Sequence, residues 1–242
     1  MSDVDLHERI IIALDVDSAD AARSVVAELG DSVGAFKIGL QLFSACGPDF
    51  VRELTDEGNR VFLDLKFHDI PNTVAKACIE AARLNVWMLN VHASGGGEMM
   101  RAAKSAVDQV CDKEGLPRPL VVAVTVLTSS TRESLSEIGV ASAPDEQVIK
   151  LAKLAADCGL DGVVASAHEA RLLRDTVQTS DIVIVTPGIR ASNATSDDQK
   201  RVTTLGEAMA AGSSYAVIGR PVTSKPDRKA ALAELIAEPK SK

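Results

Sequence analysis

Eight runs of Val, Ile, Leu and Ala, each of strand length, recur along the chain with longer segments between them. They fall at 11–16, 35–40, 60–66, 86–93, 120–128, 161–166, 181–189 and 214–220. Runs that are apolar at successive positions, rather than at alternate ones, suit strands buried on both faces. A parallel sheet covered by helices has such strands, and its neighbours need the long crossovers that these segments provide. Eight strands with a crossover after each match a (β/α)8, or TIM, barrel in number and length. An open doubly wound sheet has the same periodicity, because the pattern does not say whether strand eight meets strand one.

Several crossovers carry helix signals. Ala19–Leu29 follows Ser18, a side chain suited to capping a helix N-terminus. A stretch of helix formers closes at Glu80–Leu84, and Gln147–Cys158 is stopped by Gly159. No linker or low-complexity tract interrupts the alternation, so residues 1–242 are expected to form one domain. Aromatic residues make up only 3% of the chain, which leaves the core to small and branched aliphatic side chains.

The formal charge of −8 disfavours non-specific binding to nucleic acid, whose phosphates the average field repels. Met1 to Glu8 is acidic and polar and lacks the pattern of a secretory signal, and no apolar run reaches the roughly 18 residues of a membrane span. The expectation is a soluble cytoplasmic protein with neither nucleic acid nor membrane as partner. Cys46, Cys78, Cys111 and Cys158 are widely separated and form no CxxC, so they read as small apolar side chains. His7, His68, His92 and His168 show no metal-binding spacing. The glycines of HASGG and GEMM (92–100) read as a Gly-rich loop after strand four, without a complete GxGxxG.

Charge collects at the ends of the strands. Asp15 closes the first run, Lys37 lies within the second, and Asp64 and Lys66 close the third. Strand residues two apart share a face, so Asp64 and Lys66 are expected to point together, above Phe62, into a barrel mouth. Lys37 and Asp64 are flanked by Phe36, Ile38, Leu63 and Leu65, and charges in such surroundings need partners. An alternating array of lysines and aspartates, with Asp69 one short loop away, supplies them. Carboxylates nearby keep an ammonium protonated, which makes it a proton source rather than a base.

TPGIR (186–190) and IGR (218–220) end runs seven and eight with Gly close to Arg. Those strands close around a phosphate in many barrels. Gly188 and Gly219 would let backbone N–H groups approach its oxygens, and Arg190 and Arg220 would donate charge-assisted hydrogen bonds. Between them, 191–204 is polar and longer than an ordinary βα connection, as a closing loop would be. Gln199 is its long neutral carboxamide.

FLDLKFHDIPNT (62–73) contains the DxKxxDIPNT signature of orotidine 5'-phosphate decarboxylases, and the chain resembles the bacterial branch of that family. ALDV, FKIGL, NVHASGG, VTVLTS, VTPGIR, DDQKR and VIGR follow in the family's order over nearly the whole length. The resemblance implies a carboxy-lyase that converts orotidine 5'-monophosphate to uridine 5'-monophosphate and carbon dioxide with no cofactor and no metal. It implies Asp15 and Lys37 at the ribose, Asp64 beside the substrate carboxylate, and Lys66 as proton donor. Asp69, Ile70 and Thr73 are then expected at the neighbouring subunit's site in a homodimer with shared active sites, and Pro71 among the substrate-binding residues. Thr128 and Ser129 are expected at the base, and Arg190, Gln199, Gly219 and Arg220 at the phosphate. Two alternatives remain, a metal-assisted sugar-phosphate enzyme sharing the DxKxxD core and a non-catalytic phosphate-ligand sensor. Enzymes of the former kind resemble one another in carrying an acidic residue on strand two and a magnesium ion, whereas this chain has Lys37 there.

Overall fold

The structure, a computed structural model, describes residues 6–177, 182–190 and 203–238. Each of the eight apolar runs forms a strand. They are β1 (Ile10–Ala13), β2 (Ala35–Gly39), β3 (Val61–Phe67), β4 (Met88–His92), β5 (Leu120–Val124), β6 (Gly162–Val164), β7 (Val183–Thr186) and β8 (Tyr215–Ile218). Every neighbouring pair is parallel and consecutive, and β8 returns to β1 with Ile10 opposite Ala216 and Ile12 opposite Ile218. That last pairing closes the barrel and rules out the open sheet.

Alternation along each strand separates two apolar layers. Ile11, Ala13, Ala35, Phe62, Met88, Val122, Val185 and Val217 pack together inside the barrel. Their neighbours Ile10, Ile12, Phe36, Ile38, Leu63, Leu89 and Val91 pack outward against the helices. Both faces are therefore buried, which is why the runs are continuous in the sequence. Each fully buried Ile, Leu or Phe contributes about 1.5–3 kcal/mol relative to exposure.

The described helices are α1 (Ala19–Leu29), α2 (Leu40–Asp56), α3 (Pro71–Arg83), α4 (Gly96–Glu114), α5 (Arg132–Glu137), α6 (Pro144–Asp157), α7 (Ala167–Thr176), α8 (Leu205–Ala210), α9 (Arg220–Thr223) and α10 (Arg228–Ala237). Ser18 caps α1 as expected, its hydroxyl accepting from the Ala21 N–H at 3.2 Å. Helix α6 starts three residues before the expected Gln147, because Pro144 sits in the first turn, where its missing N–H has no intrahelical partner to lose. The segment read as a Gly-rich loop is corrected more substantially: Ala93–Gly95 is a 3-10 turn and Gly96 already opens α4. The buried faces of Met99, Met100 and Ala103 outweigh the low helix propensity of the glycines. No described helix is long and apolar enough to cross a membrane.

Candidate active site

At the C-terminal ends of the strands the barrel opens into a cavity of about 620 Å³, within the range of small-molecule sites. Its walls differ in character. Val124, Val164, Val185 and Val217 form an apolar side, while Asp15, Lys37, Asp64 and Lys66 form a charged one.

Strand parity places those charges. Ala35 points inward on β2, so Lys37 does too, and its side chain is only 10% exposed. Phe62 points inward on β3, which carries Asp64 into the layer above it with 13% exposure. Asp15 lies just past the end of β1 and is half exposed. The Lys37 ammonium donates to Asp15 Oδ1 at 3.0 Å and approaches Asp64 Oδ2 at 3.4 Å. Lys66 Nζ donates to Asp64 Oδ1 at 2.7 Å. The result is an alternating chain, Asp15–Lys37–Asp64–Lys66, in which each buried charge has an opposite neighbour.

Lys66 reaches this position from a left-handed backbone conformation, with φ of 52°. Such a conformation costs a residue with a Cβ about 1–2 kcal/mol. It coincides with an irregularity in the sheet: Leu63 pairs with Leu89, but the next paired residues are Phe67 and Val91. Four steps along β3 are thus matched by two along β4. Asn90, fully buried opposite the bulge, fills the gap. Its Oδ1 accepts from the Lys66 N–H at 2.7 Å and its Nδ2 donates to Asp64 Oδ1 at 2.7 Å. The sequence reading passed over Asn90, although a carboxamide between Leu89 and Val91 with the parity of Met88 is the kind of buried polar group that demands partners.

Two histidines stand beside this cluster, with His68 and His92 ring centroids 5.6 Å apart. Burial depresses the His92 pKa below its ordinary value, helped by the positive field of His68 and Lys66 and opposed by Asp64. Cys78 is buried and its thiol is pushed up to about 12 by desolvation, which leaves it unreactive. Among the described residues no group of three or more His, Cys, Asp or Glu side chains is placed to hold a metal ion.

The expected phosphate side is brought to the same cavity. Gly188, Arg190, Gly219 and Arg220 all line it, as does Thr128. Gly188 has φ of +86°, a turn that favours glycine whatever binds there. The ends of the expected closing loop are held side by side: Ile189 pairs with Thr203, and the Arg190 N–H donates to the Thr203 carbonyl at 3.0 Å. Residues 191–202 between them, including Gln199, lie outside the described residues.

A second group of expected site residues points elsewhere. Asp69, Ile70 and Thr73 are exposed and Pro71 is half-buried, and none of the four lines this chain's cavity. Asp69 Oδ1 accepts from the Ile70 N–H at 2.6 Å, and Ile70 itself is 65% exposed. Ser129, next to Thr128, is exposed and also outside the lining.

Comparison with known proteins agrees with this geometry. Residues 8–235 match the model of the family described as Orotidine 5'-phosphate decarboxylase / HUMPS. The orotidine 5'-phosphate decarboxylase of Syntrophotalea carbinolica is 51% identical over 236 residues, 97% of this chain and 96% of the relative. That of Idiomarina loihiensis is 50% identical, covering 94% of this chain and 96% of the relative. The crystal structure of orotidine 5'-phosphate decarboxylase from Lactobacillus acidophilus superposes with a TM-score of 0.81 at 37% identity, covering 93% of this chain and 96% of that one. With a closed eight-stranded barrel, a Lys–Asp chain at its mouth and matches over nearly its full length, the chain belongs to the orotidine 5'-phosphate decarboxylase / HUMPS family.

Proposed function

We propose that the protein decarboxylates orotidine 5'-monophosphate to uridine 5'-monophosphate, the closing step of de novo pyrimidine nucleotide synthesis. The observation that carries the reading is Lys66 Nζ, 2.7 Å from Asp64 Oδ1 at the wall of the mouth cavity. Breaking the bond between C6 and its carboxylate releases carbon dioxide and leaves the electron pair on C6. The pyrimidine ring delocalises that pair poorly, so a fixed cation nearby is worth most when the charge develops. The Lys66 ammonium is that cation, and its proton then moves to C6. The lysine regains a proton from water after product leaves.

Asp64 holds Lys66 and faces the departing carboxylate. Asp15 and Lys37 take the ribose hydroxyls, Thr128 and Ser129 the base, and Arg190, Gln199, Gly219 and Arg220 the phosphate. Binding of the remote phosphate contributes energy that serves to organise the site for the chemical step. The reading requires no metal or organic cofactor, since one side chain supplies both electrostatic stabilisation and the proton. Lys37 at the barrel position also opposes a divalent cation there.

Asp69, Ile70, Pro71 and Thr73 serve the neighbouring subunit of a homodimer. Their position outside this chain's own cavity, and the 65% exposure of Ile70, support that assignment. The test is the fall in absorbance of orotidine 5'-monophosphate with purified protein in chelator-treated buffer. Turnover without added metal is expected. A steady absorbance with folded protein overturns the reading, and activity restored only by magnesium favours a metal-assisted sugar-phosphate type of enzyme.

A further inference from the structure

We infer that Asn90 is a positioning residue for the reaction, holding Asp64 and the backbone of Lys66 together at the bulge of β3. The inference rests on the decarboxylase reading for its kinetic part. Even-numbered residues of β3 turn their backbone groups toward β2, as the bond from the Phe36 N–H to the Arg60 carbonyl shows, but the pairing with β2 ends at Gly39 and Asp64, short of Lys66. At the register step between Leu63 and Phe67 the Lys66 N–H faces β4 and bonds a side chain there, Asn90 Oδ1, at 2.7 Å. The same carboxamide holds Asp64 Oδ1, the oxygen that Lys66 Nζ also contacts. One side chain thereby fixes the backbone of the proton donor and the carboxylate that aims it.

The orientation of the amide follows from its partners. A backbone N–H only donates, so it must face the carbonyl oxygen, and an ionised carboxylate only accepts, so it must face the NH2 group. No other side chain of this size offers both functions at neutral pH. Leucine would leave the Lys66 N–H and one Asp64 lone pair without their partner in a partly buried setting. Aspartate has an acceptor for the Lys66 N–H, but when ionised it sets a second carboxylate against Asp64, and the repulsion pulls its oxygens away from both partners. When protonated, however, that carboxyl group donates to Asp64 and accepts from Lys66, restoring both contacts. Two carboxyl groups sharing a proton hold it well above the ordinary range.

The prediction is therefore specific to positioning. Asn90→Leu should lower kcat by about 100-fold, the scale of a small misplacement of reacting groups, while uridine 5'-monophosphate still binds with wild-type affinity. Asn90→Asp should lose activity at neutral pH and regain it, relative to wild type, as the pH falls. Wild-type protein carries the same Asp15, Lys37, Asp64, Lys66, His68 and His92, so the ratio of the two profiles removes their titration. Asn90→Leu has no group to titrate in that place and should show no recovery.

Hydrogen exchange of the Lys66 amide, which needs no substrate, keeps this test apart from the decarboxylase reading and covers a leucine variant too unstable to assay. Exchange faster in Asn90→Asp at neutral pH than in wild type, and slowed again in acid, is expected. Wild-type kcat in either folded variant, loss of kcat and product affinity in proportion, a flat Asn90→Asp ratio, or unchanged Lys66 exchange overturns the inference. A wild-type protein that leaves orotidine 5'-monophosphate untouched defeats the reading of the activity instead, and the exchange measurement still decides the role of Asn90.

Discussion

A single carboxylate, Asp64, receives Lys66, Asn90 and Lys37 within 3.4 Å, and this crowding of donors sets the chemistry that the mouth can perform. The opposite wall depends on individual residues in the same way. Arg220 is exposed at the cavity rim, immediately after Gly219. Arg220→Ala should weaken uridine 5'-monophosphate roughly tenfold to hundredfold, the loss expected for hydrogen bonds to a charged group. Uridine itself should be little affected, and equal losses for nucleotide and nucleoside by calorimetry would remove Arg220 from the phosphate. His92 makes a separate prediction about stability. Its folded pKa lies below the ordinary 6.5, so the unfolded chain takes up a proton first as the solution is acidified. The stability linked to this group is complete above pH 6.5 and declines as the pH falls from there through the depressed folded value. Urea unfolding of wild type and His92→Gln should therefore diverge across that window in slope against pH, and parallel slopes would show that His92 is not the responsible group.

At the scale of elements, the strands differ in how much freedom they leave. Strand β3 is bulged and polar at its end, whereas β6 is short and closely packed at its start. Gly162 pairs with Val183 of β7, and a Cβ at Gly162 would lie 2.4 Å from the Val183 carbonyl oxygen and 2.7 Å from Val183 Cβ. Neither atom belongs to a flexible side-chain end, so the strands must part. Gly162→Ala should lower stability by about 1–3 kcal/mol, the usual range for overpacking. The shift belongs in the midpoint of a urea transition with its slope unchanged. A wild-type midpoint would mean that β6 and β7 separate without resistance. Element boundaries follow the same competition between local preference and packing, as the early start of α4 at Gly96 illustrates.

For the whole molecule, the exposed Asp69–Thr73 segment raises the question of which subunit it serves. Lys66→Ala and Asp69→Ala, prepared separately, should each be nearly inactive. Mixed under conditions that exchange subunits, they form one site with both defects and one with neither. Random exchange makes about half the dimers mixed, so roughly a quarter of wild-type activity should return. Subunit exchange verified by mass spectrometry, with no activity beyond the average of the parents, would assign both residues to the same chain's site.

The eight strands, the inward direction of Asp64 above Phe62 and the cap at Ser18 were all legible in the sequence, because each depends on residues close together in the chain. A period of two fixes which side chains share a face, and a continuous apolar run requires cover on both. The DxKxxDIPNT segment identified the family for a similar reason, since its chemistry is concentrated in one strand and the turn that follows. Whether β8 would meet β1, where β3 would slip against β4, and that Asn90 would fill the resulting gap were decided only by tertiary structure. Those features arise between strands far apart in sequence, where closure, hydrogen-bond pairing and packing must be satisfied together and no local pattern records the solution.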